Sequence, residues 1–104
     1  PKGRYGPDIY DKKDDQYIHV ERRRNWDDRD NWPFETINVP YRRKSDMEKY
    51  PGLYVVVSDD LSMSLWISTQ DVLSSRIKTS PNRRVQGNEK FFDVSVSKAY
   101  FEEI

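Results

Sequence analysis

The chain's most apolar run is residues 53–57, which read Leu-Tyr-Val-Val-Val. Short runs rich in β-branched residues are typical of central strands that are covered on both faces, because no position is left polar for solvent. Pro51-Gly52 before the run and Asp59-Asp60 after it supply turn residues at both ends. We therefore predict that residues 53–57 form the central strand of a sheet.

Downstream of this strand, the pattern predicts one more clear strand and a short helix. Residues 61–67 carry an apolar side chain at every second position, as a strand with one buried face does. A helix over 69–73 would begin at Ser68 or Thr69, both of which are good N-cap residues. The remaining expectations are a long connection over 74–90, a last strand over 91–96, and a tail that docks Tyr100, Phe101 and Ile104 on the core.

Upstream, the chain predicts a hairpin of two strands, 5–10 and 16–23, joined by the polar turn 11–15. In the second strand, Ile18 and Val20 share one face, and the opposite face is polar. The members of that polar face are Tyr17, His19, Glu21 and Arg23. Asp8 falls on the same polar side of the first strand, and His19 is expected at the surface.

Between the hairpin and the central strand, residues 36–39 alternate and predict a third strand. Pro40 suits the first position of a helix, so we expect a basic helix over 41–50 that ends at Pro51-Gly52. Ser45 and Glu48 have the spacing of a capping box, which leaves a later start for this helix open. This order of elements predicts an α/β or α+β fold. Its mixed sheet surrounds the apolar central strand and is flanked by one or two short helices.

The composition is that of a single folded domain with a thin core. The 104 residues are 35% apolar and 35% charged, so the surface must be heavily charged. Seven Tyr, four Phe and three Trp are too many aromatic residues for a disordered chain. We expect residues 1–104 to form one domain.

Several classes of function are excluded or limited by residue counts. The chain has no cysteine, which excludes disulfides and thiolate metal sites and fits a cytoplasmic location. No run approaches the ~18 apolar residues of a membrane span. The formal net charge is zero, so nucleic-acid binding would depend on local basic runs rather than on overall charge.

The hairpin is the candidate site, because it places acids and cations together. Asp8 and Glu21 lie at similar distances from the turn around Asp14, roughly opposite each other. Two carboxylates on adjacent strands supply the hard oxygen ligands that Mg²⁺ needs. Arg23 lies two residues after Glu21 on the same face, where a cation stabilises a phosphate. Ordinary hairpins also carry such acids, so the pattern alone leaves a structural role open.

The hairpin resembles the PD-(D/E)xK nuclease superfamily over residues 7–58. The residues that carry the resemblance are Pro7-Asp8 and, after the turn, Glu21-Arg22-Arg23. The resemblance implies a restriction-endonuclease-like core, Mg²⁺ or Mn²⁺ held by Asp8 and Glu21, and hydrolysis of phosphodiester bonds in DNA. The family's lysine is replaced by Arg23, which does not readily lose a proton. The family's N-terminal helix would lie upstream of Pro1.

Basic segments near the hairpin are candidate contacts for the DNA backbone. Arg23 is assigned to the scissile phosphate, and Lys44 is the candidate substitute for the missing lysine. The strand-positioning residues are Arg22, Arg24, Arg42, Arg43 and Lys44. The resemblance to small phage or plasmid members also implies a viral or mobile-element origin and a second copy or larger assembly as partner. The alternatives are an inactive interaction or structural domain of such an assembly and a plain nucleic-acid-binding domain.

The loop between the second and third strands holds the other candidates. Trp26, Trp32 and Phe34 could stack on bases, but we expect at least two of them to pin the loop to the core. The acidic run over 27–30 lacks the spacing of a calcium loop and is expected to be an exposed turn.

Overall fold

The computed structural model describes residues 8–26, 32, 34–82 and 87–104, with the backbone alone at 81 and 82. Within these residues the chain forms eight strands and two short α-helices in an α+β arrangement. The strands are β1 (Ile9–Asp11), β2 (Gln16–Arg23), β3 (Thr36–Pro40), β4 (Gly52–Ser58), β5 (Met63–Ser68), β6 (Arg76–Asn82), β7 (Gly87–Ser95) and β8 (Tyr100–Glu103). The helices are α1 (Lys44–Lys49) and α2 (Thr69–Leu73). None of the described helices has the length and apolarity needed to cross a membrane.

The larger sheet has five strands in the order β1-β2-β4-β5-β8. β2 and β4 are parallel, and the other neighbouring pairs are antiparallel, so the expected mixed sheet is confirmed. The predicted apolar strand is β4, and it lies in the middle of this sheet. The predicted hairpin is β1 and β2, although β1 begins only at Ile9 and residues 5–7 lie outside the described part.

A second, smaller sheet has the order β3-β7-β6, with all neighbours antiparallel. The predicted third strand therefore leaves the sheet of the hairpin. Residues 74–90 were expected to be an irregular connection, and this is wrong, because they contain β6 and the start of β7. β6 is an edge strand with charged and polar side chains, and such strands lack the apolar run that identifies a buried one.

The core lies between the two sheets and the two helices. Burying each large apolar side chain contributes roughly 1.5–3 kcal/mol, so this cluster accounts for much of the folding free energy. The larger sheet supplies Tyr54, Val56, Leu65 and Ile67; the smaller sheet supplies Ile37, Val39, Phe92 and Val94; Met47, Val72 and Trp26 complete the cluster.

The first helix is shorter than expected, and the second has the predicted bounds. The expected helix over 41–50 begins as a 3₁₀ turn at Tyr41–Arg43 and becomes α-helical only from Lys44 to Lys49. Pro40 is the last residue of β3 rather than the first of a helix. α2 has the predicted bounds, and the Ser68 hydroxyl accepts a hydrogen bond from the Asp71 backbone N–H at 3.0 Å, as an N-cap does.

The alternation in β2 was predicted correctly, but the surface position of His19 is wrong. His19 is fully buried, whereas Ile18 and Val20 on the opposite face are half-buried. Parallel pairing explains this, because His19 lies beside Tyr54 and must share its face towards the core. The His19 ring donates from Nε2 to the Tyr50 carbonyl at 2.9 Å, which anchors β2 to the end of α1.

The C-terminal tail is held by a strand ladder rather than by docked side chains. β8 pairs with β5 at the edge of the larger sheet. Tyr100 and Ile104 are 63% and 67% exposed, so the expectation that they dock on the core is wrong. Phe101 is 37% exposed and makes an edge contact with Trp26, with ring centroids 6.1 Å apart.

Candidate functional site

The hairpin carries both acids, with Glu21 on β2 and Asp8 immediately before β1. The register begins where Ile9 pairs with Ile18, so Asp8 lies just before the ladder and is not directly opposite Glu21. Asp8 lies beside Arg43, whose guanidinium covers the ring of Tyr54. The Tyr54 hydroxyl binds Glu21, so both acids lie near this ring.

Asp8 caps the start of β1. Its Oδ2 accepts a hydrogen bond from the backbone N–H of Val20 at 2.7 Å, and its own N–H donates to the Ile18 carbonyl at 3.1 Å. The same Oδ2 lies 3.9 Å from Nη2 of Arg43. The Asp8 side chain is 41% exposed, so it remains accessible to a ligand while it fixes the end of the hairpin.

Glu21 is oriented by two donors. Its Oε2 accepts from Nε of Arg23 at 2.9 Å, and its Oε1 accepts from the hydroxyl of Tyr54. Tyr54 is fully buried, and burial, together with the negative charge of Glu21, raises the pKa of its hydroxyl well above the ordinary value. Tyr54 is therefore a permanent donor to Glu21 at neutral pH.

Arg23 joins the hairpin to the smaller sheet. Besides its ion pair with Glu21, it donates from Nη2 to the Asn38 carbonyl at 2.8 Å, and its guanidinium carbon lies 5.7 Å from the ring centroid of Trp32. The sequence assigned Arg23 to a scissile phosphate. In the structure its side chain is 17% exposed and is held by these three partners.

A second cation at the site is Arg43, which the sequence placed among the residues that position the DNA strand. Arg43 lies in the 3₁₀ turn after β3, with its guanidinium carbon 5.3 Å from the ring centroid of Tyr54 and Nη2 beside Asp8. Its Nε is buried and has no hydrogen-bond partner among the described residues. Lys44, the expected substitute for the motif lysine, instead pairs with Glu48 at 2.9 Å along α1.

The other predicted backbone contacts are not brought together with the acids. Arg22 points to the opposite face of the sheet and binds the carbonyl and carboxylate of Asp59, at 2.6 and 3.4 Å. Arg42 is 72% exposed and pairs with Glu89 at 3.0 Å. Arg24 is exposed in the turn after β2. Arg22 and Arg24 line one pocket together with Arg23, whereas Arg42 lines a different pocket beside Glu89.

The donor set at the hairpin fits a hard divalent cation. Asp8 and Glu21 supply carboxylate oxygens, and Mg²⁺ sites in proteins often have only one or two carboxylates and several waters. No group of three or more potential ligands from His, Cys, Asp or Glu occurs in the described part of the chain. Arg43 would have to withdraw from Asp8 when such an ion binds, because like charges repel.

Two of the three aromatic residues of the loop pack on the core and one is exposed, as the sequence suggested. Trp26 is 1% exposed, and its ring meets Trp32 edge to face at 5.1 Å, so these two pin the loop to the core. Phe34 remains 46% exposed. The acidic run over 27–30 lies outside the described residues.

Comparison with known proteins identifies no relative of this chain. No protein-family model, curated protein or solved structure matches it. Any functional assignment therefore depends on the residues and geometry of the hairpin itself.

Proposed function

We propose that this chain is a metal-dependent nuclease-like domain of the PD-(D/E)xK kind, which binds DNA and hydrolyses phosphodiester bonds. The observation that carries the proposal is a chain of contacts between the two acids. Asp8 lies beside Arg43, Arg43 covers the ring of Tyr54, and the Tyr54 hydroxyl binds Glu21. Two carboxylates and an incompletely bonded guanidinium are the groups that a metal-assisted attack on a phosphodiester requires.

Each of these side chains has a role in the proposal. Asp8 and Glu21 would hold Mg²⁺ or Mn²⁺, which when bound supplies Lewis-acid activation of the phosphodiester. Arg43 binds the phosphate oxygens after it leaves Asp8, because a planar guanidinium with unfilled donors suits phosphate. Arg23 and Tyr54 act indirectly, because they orient the Glu21 carboxylate.

The finer fold assignment is also a proposal. We propose that residues 8–58 are a reduced restriction-endonuclease-like core. The parallel pairing of β2 with β4 across α1 supports this, because it reproduces a hairpin followed by a helical crossover in one mixed sheet. β3 lies in the second sheet, which is a departure from the single mixed sheet that the sequence predicts.

The direct test is a DNA cleavage assay with Mg²⁺ and with Mn²⁺. Asp8→Asn and Glu21→Gln should each reduce cleavage by at least about 100-fold, because each removes a metal ligand. Asp59→Asn is the matched control, because its side chain is also 41% exposed but pairs with Arg22 on the far face of the sheet. Cleavage by Asp8→Asn at the rate of the native chain would remove the assigned site.

A second candidate is a nuclease-derived domain without activity, which binds nucleic acid or serves an assembly. It is favoured by the arginine at the motif-lysine position and by the cations that already stand beside both carboxylates. The two candidates differ in their metal requirement. The inactive domain would cleave nothing with either metal, and any DNA affinity would fall with salt and be indifferent to EDTA.

A further inference from the structure

A pocket of about 240 Å³ lies beside the hairpin, where the end of β2 meets the outer face of the smaller sheet. Its lining includes Arg23, Asn25, Trp32, Phe34, Asn38 and Lys78. The volume is below the roughly 300–1,000 Å³ of pockets for drug-sized ligands, so it suits a single planar ring system.

One wall of the pocket is a pair of aromatic rings that is already fixed in place. The Trp32 indole N–H donates to the Thr36 carbonyl at 3.1 Å, which sets the orientation of that ring. Phe34 meets Trp32 edge to face, with centroids 5.4 Å apart and an angle of 73° between the rings. An exposed ring supported in this way offers a stacking face at little ordering cost.

The pocket also carries positive charge. Arg23 and Lys78 line it, and none of its described lining residues is acidic. Lys78 shares the Asp93 carboxylate with Arg76, at 3.2 and 2.9 Å, so one acid faces two cations. A net positive charge therefore remains near Lys78 and favours an anionic group there.

Two carboxamides complete the lining. Asn25 is exposed, and Asn38 is half-buried on β3, opposite Asp93. The Oδ1 of Asn38 has no hydrogen-bond partner within the described residues. Carboxamides offer both a donor and an acceptor, which matches the edges of nucleic-acid bases.

We infer that this pocket binds one unpaired base of single-stranded DNA, stacked on Phe34, with an adjacent phosphate on Lys78. The inference rests on the proposed function and specifies the form of its substrate as a single strand or frayed end. A base inside a duplex is stacked on both sides and cannot enter such a pocket. Arg23 lines the pocket and also binds Glu21, so a base held there lies next to the proposed cleavage site.

The test is a tryptophan fluorescence titration with a short oligodeoxycytidine in EDTA, where no cleavage occurs. Trp32 should report binding, because Trp26 is buried and Trp66 lies on the opposite face of the larger sheet. Phe34→Ala should weaken single-strand binding by about tenfold, and Phe34→Trp should restore it, because stacking depends on the ring. Tyr100→Ala is the control, since this aromatic side chain is also exposed but lies on β8.

Two results would overturn the inference. One is binding by Phe34→Ala or Lys78→Gln with native affinity, and the other is equally tight binding of the same strand annealed to its complement. Failure of the proposed function is distinguishable, because it appears as absent cleavage with intact metal-free binding. Lys78→Gln provides a second variant if Phe34→Ala does not fold.

Discussion

At the scale of single residues, Tyr54 connects the buried core to the acids of the hairpin. Its ring packs in the core cluster, while its hydroxyl donates to Glu21. Arg43 covers the ring from the outside, at 5.3 Å from guanidinium carbon to ring centroid. The position of the Glu21 carboxylate is therefore fixed by a residue of the central strand rather than by the hairpin alone.

Replacing Tyr54 by Phe keeps the ring and removes this hydrogen bond. We expect a loss of about 1–2 kcal/mol in unfolding free energy at neutral pH, because a bond to a charged acceptor is lost. In the folded protein, the pKa of the Tyr54 hydroxyl is raised above its unfolded-state value of about 10. The stabilising effect of the hydroxyl is therefore complete below about pH 10, and it is lost as the pH rises from there through the folded-state pKa.

Urea denaturation of the native chain and Tyr54→Phe, at neutral pH and above pH 10, checks both points. The difference between the two proteins should shrink at the higher pH. A variant that is as stable as the native chain at neutral pH would show that the hydroxyl does not stabilise the fold.

Some site residues could be predicted from the sequence, and others could not. The shared face of Glu21 and Arg23 follows from the period of a strand, which is a local property. The burial of His19 and the entry of Arg43 depend on which face of the larger sheet the second sheet covers. No local pattern contains that information. Lys44, rather than Arg43, was therefore predicted as the second cation beside the acids.

At the scale of elements, the parallel contact between β2 and β4 holds the site together. Gly52 begins β4 beside Tyr17, and a Cβ on Gly52 would lie 1.9 Å from the Tyr17 carbonyl oxygen. The opposing atom is backbone, so it cannot move aside without shifting β2. This close approach explains why a glycine stands at the start of the central strand.

Gly52→Ala should therefore destabilise the protein by about 3 kcal/mol or more, because the strands must separate locally. Urea denaturation followed by circular dichroism measures the change. Thr79→Ala on the exposed edge strand β6 is the control and should stay within about 0.5 kcal/mol of the native chain. A Gly52→Ala variant of native stability would contradict the observed spacing of β2 and β4.

The elements that the sequence predicted well are those with strong apolar patterns or caps. β4 has an apolar run, and α2 has its Ser68 cap, so both were located from local signals. β6 and the start of β7 were missed because their outward side chains are charged. Their pairing depends on contacts with β3 far away in the sequence.

At the scale of the whole molecule, a formal net charge of zero conceals an uneven distribution. The junction between the two sheets holds Arg23, Arg43 and Lys78 close to only a few acids. The hairpin acids and the aromatic pocket lie on either side of Arg23, which contacts both. A bound strand could therefore contact the pocket and the acids at the same time.

The central claim is that Asp8 and Glu21 together bind a divalent cation, and a calorimetric titration with Mn²⁺ in the absence of DNA tests it most directly. We predict that the native chain binds Mn²⁺, that Asp8→Asn binds it at least about tenfold more weakly, and that Arg43→Ala binds it several-fold more tightly. Asp59→Asn should bind as the native chain does. No binding by the native chain, or equal binding by Asp8→Asn, would contradict the claim.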